Sequence, residues 1–338
     1  MNRRTVAIVR NHVSASALAD ARDVLDQSAF VGRMLRESGW SVVEIELGTD
    51  LDEAAATLKG IRPDVVFNLV EDILDVGELA CLAPAVYRRL GLPFTGSDGP
   101  VLLMTNDKFA AKHRLEAAGL STPPGIDMGG VKRGRFPGPG RYIVKSRTEH
   151  ASLGLDDSAV VDVSTAGELL EAMNGFRARM GGSCLAERFV DGREFSVAIL
   201  EHPAGVGRAF GVAEIVFRAD MPVKIVGYDA KWVEGSDADA ATVRSFSFCE
   251  TEPELAEELQ RLALDCWDEM GLAGYARIDF RVDAEGRAHV IDINANPCIA
   301  ENAGFMAAAR RAGWSDRDVM DAIVQGAMER DGSGIKAE

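Results

Sequence analysis

The 338-residue chain carries 53 acidic side chains against 37 lysines and arginines, a net charge of −16 at pH 7 that opposes general binding to nucleic acid or to an anionic membrane. With 47% hydrophobic and 27% charged residues it has the composition of a soluble globular protein, and its length suits two or three compact domains. No stretch approaches the roughly 18 uninterrupted apolar residues of a membrane span, and the short run Val6–Val9 is cut by Arg10 and Asn11, so the expected setting is cytoplasmic.

The cysteines Cys81, Cys184, Cys249, Cys266 and Cys298 are odd in number and show no Cys-x-x-Cys spacing, which argues against a disulfide framework or a structural zinc site. Reduced, mostly buried thiols are expected. No Lys/Arg-rich run exists either, so any pocket for phosphate has to be assembled from residues distant in sequence.

Residues 1–100 alternate short β-branched runs with helical patterns: a strand at Val6–Val9, a helix at Phe30–Ser38, a strand at Val42–Leu47, a helix at Glu53–Lys59, a strand at Val65–Val70 and a helix at Leu79–Leu90. That alternation predicts a small parallel α/β domain. Gly39 and Gly91 close two of the helices, at the position where a left-handed backbone is cheapest for glycine. A capped helix is predicted over Asn106–Ala118, ended by Gly119, Pro123 and Pro124. The Gly/Pro-rich stretch Arg133–Gly140 then feeds a strand at Arg141–Ser146, and Ser164–Met180 reads as a helix with a Ser/Thr start. Strand patterns between Cys184 and Phe217, with turns at Asp191-Gly192 and at 203–207, predict an antiparallel meander. A helix at Pro253–Met270 precedes a final hairpin, Tyr275–Val282 and His289–Asn294, joined by Asp283-Ala284-Glu285-Gly286. The expected organisation is α/β at 1–100 followed by two α+β units, 101–182 and 183–330.

The final hairpin holds the most informative chemistry. Side chains alternate between the faces of a strand, so Ile278, Phe280 and Val282 point one way and Arg277, Asp279 and Arg281 the other; on the partner strand Ile291 and Ile293 oppose Asp292 and Asn294. With the apolar faces buried together, Asp279, Asp292 and Asn294 share a side. Two carboxylates and an amide oxygen so close call for a cation, and hard oxygen ligands suit Mg²⁺ or Mn²⁺; on the hairpin alone, a merely solvated face stays equally open. Beyond Asn294 the sequence Ala295-Asn296-Pro297-Cys298 demands a sharp bend, which can offer backbone N–H groups to a developing oxyanion beside the charge of Arg277.

Gly274-Tyr275-Ala276-Arg277-Ile278-Asp279-Phe280 and Val290-Ile291-Asp292-Ile293-Asn294-Ala295-Asn296-Pro297 resemble the C-terminal signature of D-alanine–D-alanine ligases, members of the ATP-grasp superfamily. The same family order is kept by Thr105-Asn106-Asp107-Lys108, by Val144-Lys145 running through Arg147, Glu149 and Ser152 to Gly154, by Ala186-Glu187-Arg188-Phe189-Val190 with Glu194, and by Tyr228-Asp229-Ala230-Lys231-Trp232. The resemblance spans about Val65 to Ile323.

The resemblance implies an ATP-grasp fold, an N-terminal parallel α/β domain followed by two α+β domains that enclose ATP. It implies that Lys108 and Lys145 bind ATP phosphates, that the loop Thr148–Gly154, with Ser152, covers them, and that Glu187 and Glu194 hold the adenine and ribose edges. Arg188 to Val190 would supply backbone partners to the base, and Lys231 would reach the γ-phosphate. Asp279, Asp292 and Asn294 match the magnesium ligands, with Asp292 where glutamate is usual.

The pattern also breaks. His150 and Ala151 stand where the covering loop commonly has glycine and serine. The glycine-rich stretch ending in Ser-Ala-Glu that positions the first D-alanine is replaced by Val9-Arg10-Asn11-His12-Val13-Ser14-Ala15-Ser16. The Ser-Pro-Gly-Met-Thr stretch and following serine that receive the second substrate are replaced by 296–303, with a new Glu301 that suggests a cationic nucleophile. Glu71 and Asp72 follow the carboxyl end of a parallel strand, where α/β sheets bind ligands, and are candidates to grip a substrate amine. Cys298 has no histidine beside it in sequence, so its expected role is a backbone N–H rather than nucleophilic attack.

The expected activity is ATP- and Mg²⁺-dependent joining of a small carboxylate to an amine through an acyl phosphate, with substrates other than two D-alanines. D-alanine–D-alanine ligation and a non-catalytic ATP-binding module are the alternatives, and a homodimer is the assembly that the resemblance suggests.

Overall fold

The computed structural model describes residues 4–14, 19–149, 152, 154–203, 205–233 and 235–332. Ala15, Ser16, His150 and Ala151 lie outside the described residues. In the N-terminal part, β1 (Thr5–Asn11), β2 (Ser41–Leu47) and β3 (Val65–Leu69) form a parallel sheet in the order β2-β1-β3. Parallel neighbours need crossovers, and helices Ala19–Glu37 and Leu51–Ile61 provide them. Gly39 (φ +91°) and Gly91 (φ +64°) have the left-handed backbone expected of glycines that close helices. Every residue of β3 is buried, as expected where both faces of a sheet are covered. One cover comes from the far end of the chain: Val319, Met320 and Ile323 of helix Asp316–Gly332 share a core with Val6, Ile8, Leu35 and Phe67.

The second sheet contains β4 (Gly125–Asp127), β5 (Gly140–Ser146), β6 (Val160–Val163) and β7 (Cys184–Arg188), antiparallel in the order β4-β7-β5-β6. Helix Ala166–Met180 packs on it, its first turn capped by Thr165, whose hydroxyl accepts from the Glu168 N–H at 3.2 Å. The third sheet contains β8 (Arg193–Glu201), β9 (Gly207–Phe217), β10 (Thr242–Ser245), β11 (Tyr275–Val282) and β12 (Ala288–Asn294) in the order β10-β9-β8-β11-β12, and it packs on helix Pro253–Met270.

The helix expected at Phe30–Ser38 starts earlier, at Ala19, the one expected at Leu79–Leu90 is α-helical over Leu82–Arg89, and three further expectations change nearer the site. The meander over Cys184–Phe217 is divided: β7 joins the second sheet, and only β8 and β9 pair within the third. The helix expected over Asn106–Ala118 is two, Gly99–Asn106 and Lys108–Ala117, because Asp107 leaves the helical backbone and its carboxylate accepts from the N–H groups of Phe109 and Ala110. In the final hairpin the register steps from Asp279↔Asp292 to Phe280↔Val290, leaving Ile291 as the extra residue of a β-bulge. Val290 and Ile293 therefore fill the core, whereas Ile291 is only half-buried and leaves the apolar face assigned to it.

Candidate active site

The register of the last hairpin places Asp279 directly opposite Asp292 and Arg277 opposite Asn294. Arg277 grips Asp279 through two N–H···O contacts of 2.9 Å, Nε to Oδ1 and Nη2 to Oδ2, while Ser196 on the next strand donates to Oδ1 at 2.7 Å. Burial alone would lower the guanidinium's pKa, but Asp279 and Asp292 outweigh it and hold the pKa above the ordinary arginine value. Asn294 accepts from the Asn296 N–H at 3.0 Å, which starts the bend after the strand. Among the described residues no three His, Cys, Asp or Glu side chains are grouped as a metal site. The donor set the strands bring together is two carboxylates across one rung and a neighbouring amide, all oxygen ligands, and this chemistry fits Mg²⁺.

Facing the hairpin is a buried cationic floor. Lys108 opens its helix, donates from Nζ to the Glu149 carbonyl at 2.7 Å and is 9% exposed. Burial pushes its pKa down, with Asp292 opposing and Lys145 reinforcing the fall, so Lys108 lies within electrostatic reach of both the hairpin and the second sheet. Lys145 on β5 donates to the carbonyl of the bulged Ile291 at 3.1 Å and pairs with Glu187 Oε1 at 2.7 Å. A residue that sequence reasoning missed completes the floor: Lys112, one turn after Lys108, pairs with Glu187 Oε2 at 2.7 Å and donates to Thr122 Oγ1 and the Pro123 carbonyl. Burial would raise the Glu187 carboxyl, yet its two lysines prevail and hold it below the ordinary glutamate range. The spacing of Lys108 and Lys112, four apart on one helix face, was the available signal.

The residues expected around the base are more engaged with protein than the resemblance implied. Glu187 is the shared counterion of two lysines rather than an open edge. Glu194 is bound by the buried Arg281 at 2.8 Å, and Arg281 also donates to the carbonyls of Val190 and Lys224. The N–H groups of Arg188 and Phe189 are donated to the carbonyls of Pro124 and Arg141, and the Arg188 guanidinium stacks 4.6 Å from the Tyr142 ring centroid. These groups form the frame of the pocket wall.

Two loops meet over the floor. Ser152, at φ +58°, donates from its hydroxyl to the Val226 carbonyl at 2.8 Å, and the Tyr228 N–H donates to the Leu155 carbonyl at 3.0 Å. Gly227 permits the approach, since a Cβ there would lie 2.7 Å from the Leu155 oxygen. The short helix Tyr228–Trp232 then carries Lys231 toward the hairpin. Although Lys231 is open to solvent, surrounding protein dehydrates it; with repulsion from Arg277 this lowers its pKa, against the pull of Asp279, Asp292 and Glu194.

The substrate wall departs furthest from expectation. Glu71 and Asp72 follow β3 as predicted; Gln27 donates to Glu71 at 2.8 Å and Asn11 to Asp72 at 2.7 Å. Gln27, 1% exposed, also donates to Asp23 at 3.0 Å and accepts from the Ile299 N–H at 3.2 Å, tying the first helix to the bend after β12. The Cys298 thiol lies against Asp23, and burial followed by that carboxylate pushes its pKa well up, away from nucleophilic character. Glu301 corrects the expectation of an acid facing a cationic nucleophile: its carboxylate pairs with Arg33 at 2.6 Å, both half-exposed.

Sheets, floor and hairpin together define an ATP-grasp carboxylate–amine ligase, an enzyme that uses ATP and Mg²⁺ to form a C–N bond and releases ADP. The family profile described as D-ala D-ala ligase C-terminus matches residues 139–325. The D-alanine–D-alanine ligase of Methylococcus capsulatus is 30% identical over 86% of this chain and 86% of its own length, and that of Sinorhizobium fredii is 27% identical over 86% and 88%. The crystal structure of D-alanine–D-alanine ligase from Bacillus anthracis complexed with ATP superposes with a TM-score of 0.73 at 18% identity, covering 98% of this chain and 99% of that one. The chain belongs to the D-alanine–D-alanine ligase family. No helix among the described residues is long and apolar enough to cross a membrane.

Proposed function

We propose that this ligase joins two small substrates, a carboxylate and an amine, that are not both D-alanine in the standard pose. ATP phosphates lie on Lys108 and Lys145, against the wall framed by Glu187, Arg188, Val190 and Glu194. Asp279, Asp292 and Asn294 hold Mg²⁺, which when bound neutralises phosphate charge. The substrate carboxylate attacks the γ-phosphorus, the bond to the β-phosphate oxygen breaks and ADP leaves. Lys231 neutralises the moving phosphoryl group from the loop side, with Ser152 holding the two covering loops together. The amine then attacks the acyl carbon, Arg277 stabilises the oxyanion, and inorganic phosphate leaves as the amide forms. Glu71 and Asp72 grip a substrate amine, and the bend at Cys298 offers backbone N–H groups.

The observation that carries this reading is the rung that sets Asp279 opposite Asp292, with Arg277 gripping Asp279 and Lys231 within electrostatic reach. In a protein of net charge −16, opposed groups of this kind gathered under two apposed loops mark a site for a highly charged ligand. The substrate half of the proposal rests on the altered stretch 296–303, in which Cys298 lies against Asp23 and the Ile299 N–H donates to Gln27.

A second reading, ligation of two D-alanines, is favoured by the names of the relatives. The test is ADP release with Mg-ATP across amino acids, small carboxylic acids and amines, singly and in pairs. Release that requires a pair other than D-alanine supports the proposal; release with D-alanine alone at full rate replaces it with the second reading.

A further inference from the structure

Arg244 lies on β10, the edge strand of the third sheet, and no carboxylate among the described residues forms an ion pair with it. Its guanidinium rests against Gly304, the first residue of helix Gly304–Arg311: a Cβ built on that glycine would come within 3.2 Å of both Nε and Nη2. A side chain at 304 would require the flexible end of the arginine to give way slightly. Across the face of the sheet it is close enough to Arg277 to be repelled by it. Arg244 is open to solvent, yet surrounding protein partly dehydrates its guanidinium, and this together with the repulsion lowers its pKa.

The two arginines are not equivalent. Arg277 already has a carboxylate, Asp279, held through two N–H···O contacts. Arg244 has none. Two guanidiniums that repel each other, one of them without a carboxylate, attract an anion to the space between them. Phosphate is served by the lysine floor, which lies on the side of the hairpin facing Lys108 and Lys145. The group reaching Arg244 must approach along the wall formed by Cys298 and Gly304.

We propose that Arg244 is the receptor for a second, non-reacting carboxylate on a substrate bound between Arg277 and Gly304. The reacting carboxylate is consumed in the acyl phosphate, so the carboxylate at Arg244 is one that survives into the product. It belongs either to an amino acid acting as the amine or to an acyl donor bearing two acid groups. Arginine suits the task because its planar N–H fork binds a carboxylate in a bidentate fashion. This inference rests on the ligase reading above and names a substrate feature that the reading leaves open.

The test compares the protein with R244Q and R244K in ADP-release assays, using D-alanine and D-alaninamide as amines, then mono- and dicarboxylic acids as acyl donors. A lost charge-assisted pair predicts that R244Q raises KM for the free acid about 10- to 100-fold with kcat little changed. The matching amide should be almost unaffected, and R244K should recover part of the loss. Discrimination lost among the amines places the carboxylate on the nucleophile; discrimination lost among the donors places it on the acyl substrate. Equal weakening of acid and amide, or no change in either, overturns the proposal. If no pair releases ADP, the ligase reading fails separately. Calorimetric titration of the same acids and amides into the MgADP-loaded protein then decides the role of Arg244: binding of the acid lost in R244Q with MgADP binding intact upholds it, and unchanged binding removes it.

Discussion

At the floor of the cleft Glu187 is gripped by Lys112 and Lys145, three charges nearly sealed from water and neutralised largely by one another, whereas at the substrate wall Arg244 faces Arg277 without an acid of its own. The floor is organised before any ligand arrives. A buried ion triad costs dehydration and returns it only when the remaining donors are met, and here the carbonyls of Pro123 and Ile291 and the Thr122 hydroxyl accept from the two lysines. The wall is built the other way, with charge left to be satisfied by what binds. On the proposed reading, rigidity sits where the nucleotide lies and adaptable charge where the substrates bind.

The largest expected effect breaks the hairpin that joins these two regions. Asp292→Ala should reduce ADP release by about a thousandfold, on the order of 4 kcal/mol in the activation barrier, while the fold, read by circular dichroism, is retained. Activity within tenfold of the unmodified protein would remove Asp292 from the metal site.

Next comes the floor itself. Lys112→Met strands half of the Glu187 charge in the interior, and breaking a buried pair from one side costs about 3 kcal/mol, measurable by urea unfolding. Lys112→Met combined with Glu187→Leu should recover much of that loss in stability. The pH dependence has a definite sign. Glu187 has its folded pKa held below the ordinary glutamate value, so its stabilising contribution is present above that ordinary value and is lost as pH falls through the lowered one. The unmodified protein should therefore lose more stability into acid than the double variant does. Parallel acid titrations of the two would show that Glu187 titrates without consequence.

Arg277→Lys probes where floor and wall meet. Lysine keeps the charge but cannot hold Asp279 through two parallel N–H donors, as Arg277 does. A loss of about a hundredfold in kcat, near 2.7 kcal/mol, is expected, with ATP affinity little altered. A change confined to ATP affinity would move Arg277 from oxyanion stabilisation to nucleotide binding.

How much of this was legible in the sequence follows the same division. The strand Tyr275–Val282 and the helix Pro253–Met270 have the expected limits, because a strict period of two and a Pro-to-Gly bracket are local signals. The bulge at Ile291 was only half legible: the adjacent apolar residues Val290 and Ile291 interrupt the alternation, but the letters do not say which of the two leaves the core. Lys112 resembles any surface lysine until Glu187, which lies on another element, is placed against it. Arg244 lies in a short edge strand with no motif around it, and only the third dimension brings it to Gly304 and Arg277.

Glu301 gives the smallest expected effect and the cleanest check on the wall. Read along the chain it is a new acid beside the substrate bend; in space its partner is Arg33, 268 positions away, and the pair is half-exposed. Exposed pairs contribute between nothing and about 1 kcal/mol, because water screens them and two long side chains lose freedom in forming them. Glu301→Gln should therefore change stability by less than about 1 kcal/mol and leave KM for every amine unchanged within about a factor of two. A selective rise in KM for cationic amines would show that the carboxylate leaves Arg33 when substrate binds, and the wall would then offer an acid alongside its unpaired arginine.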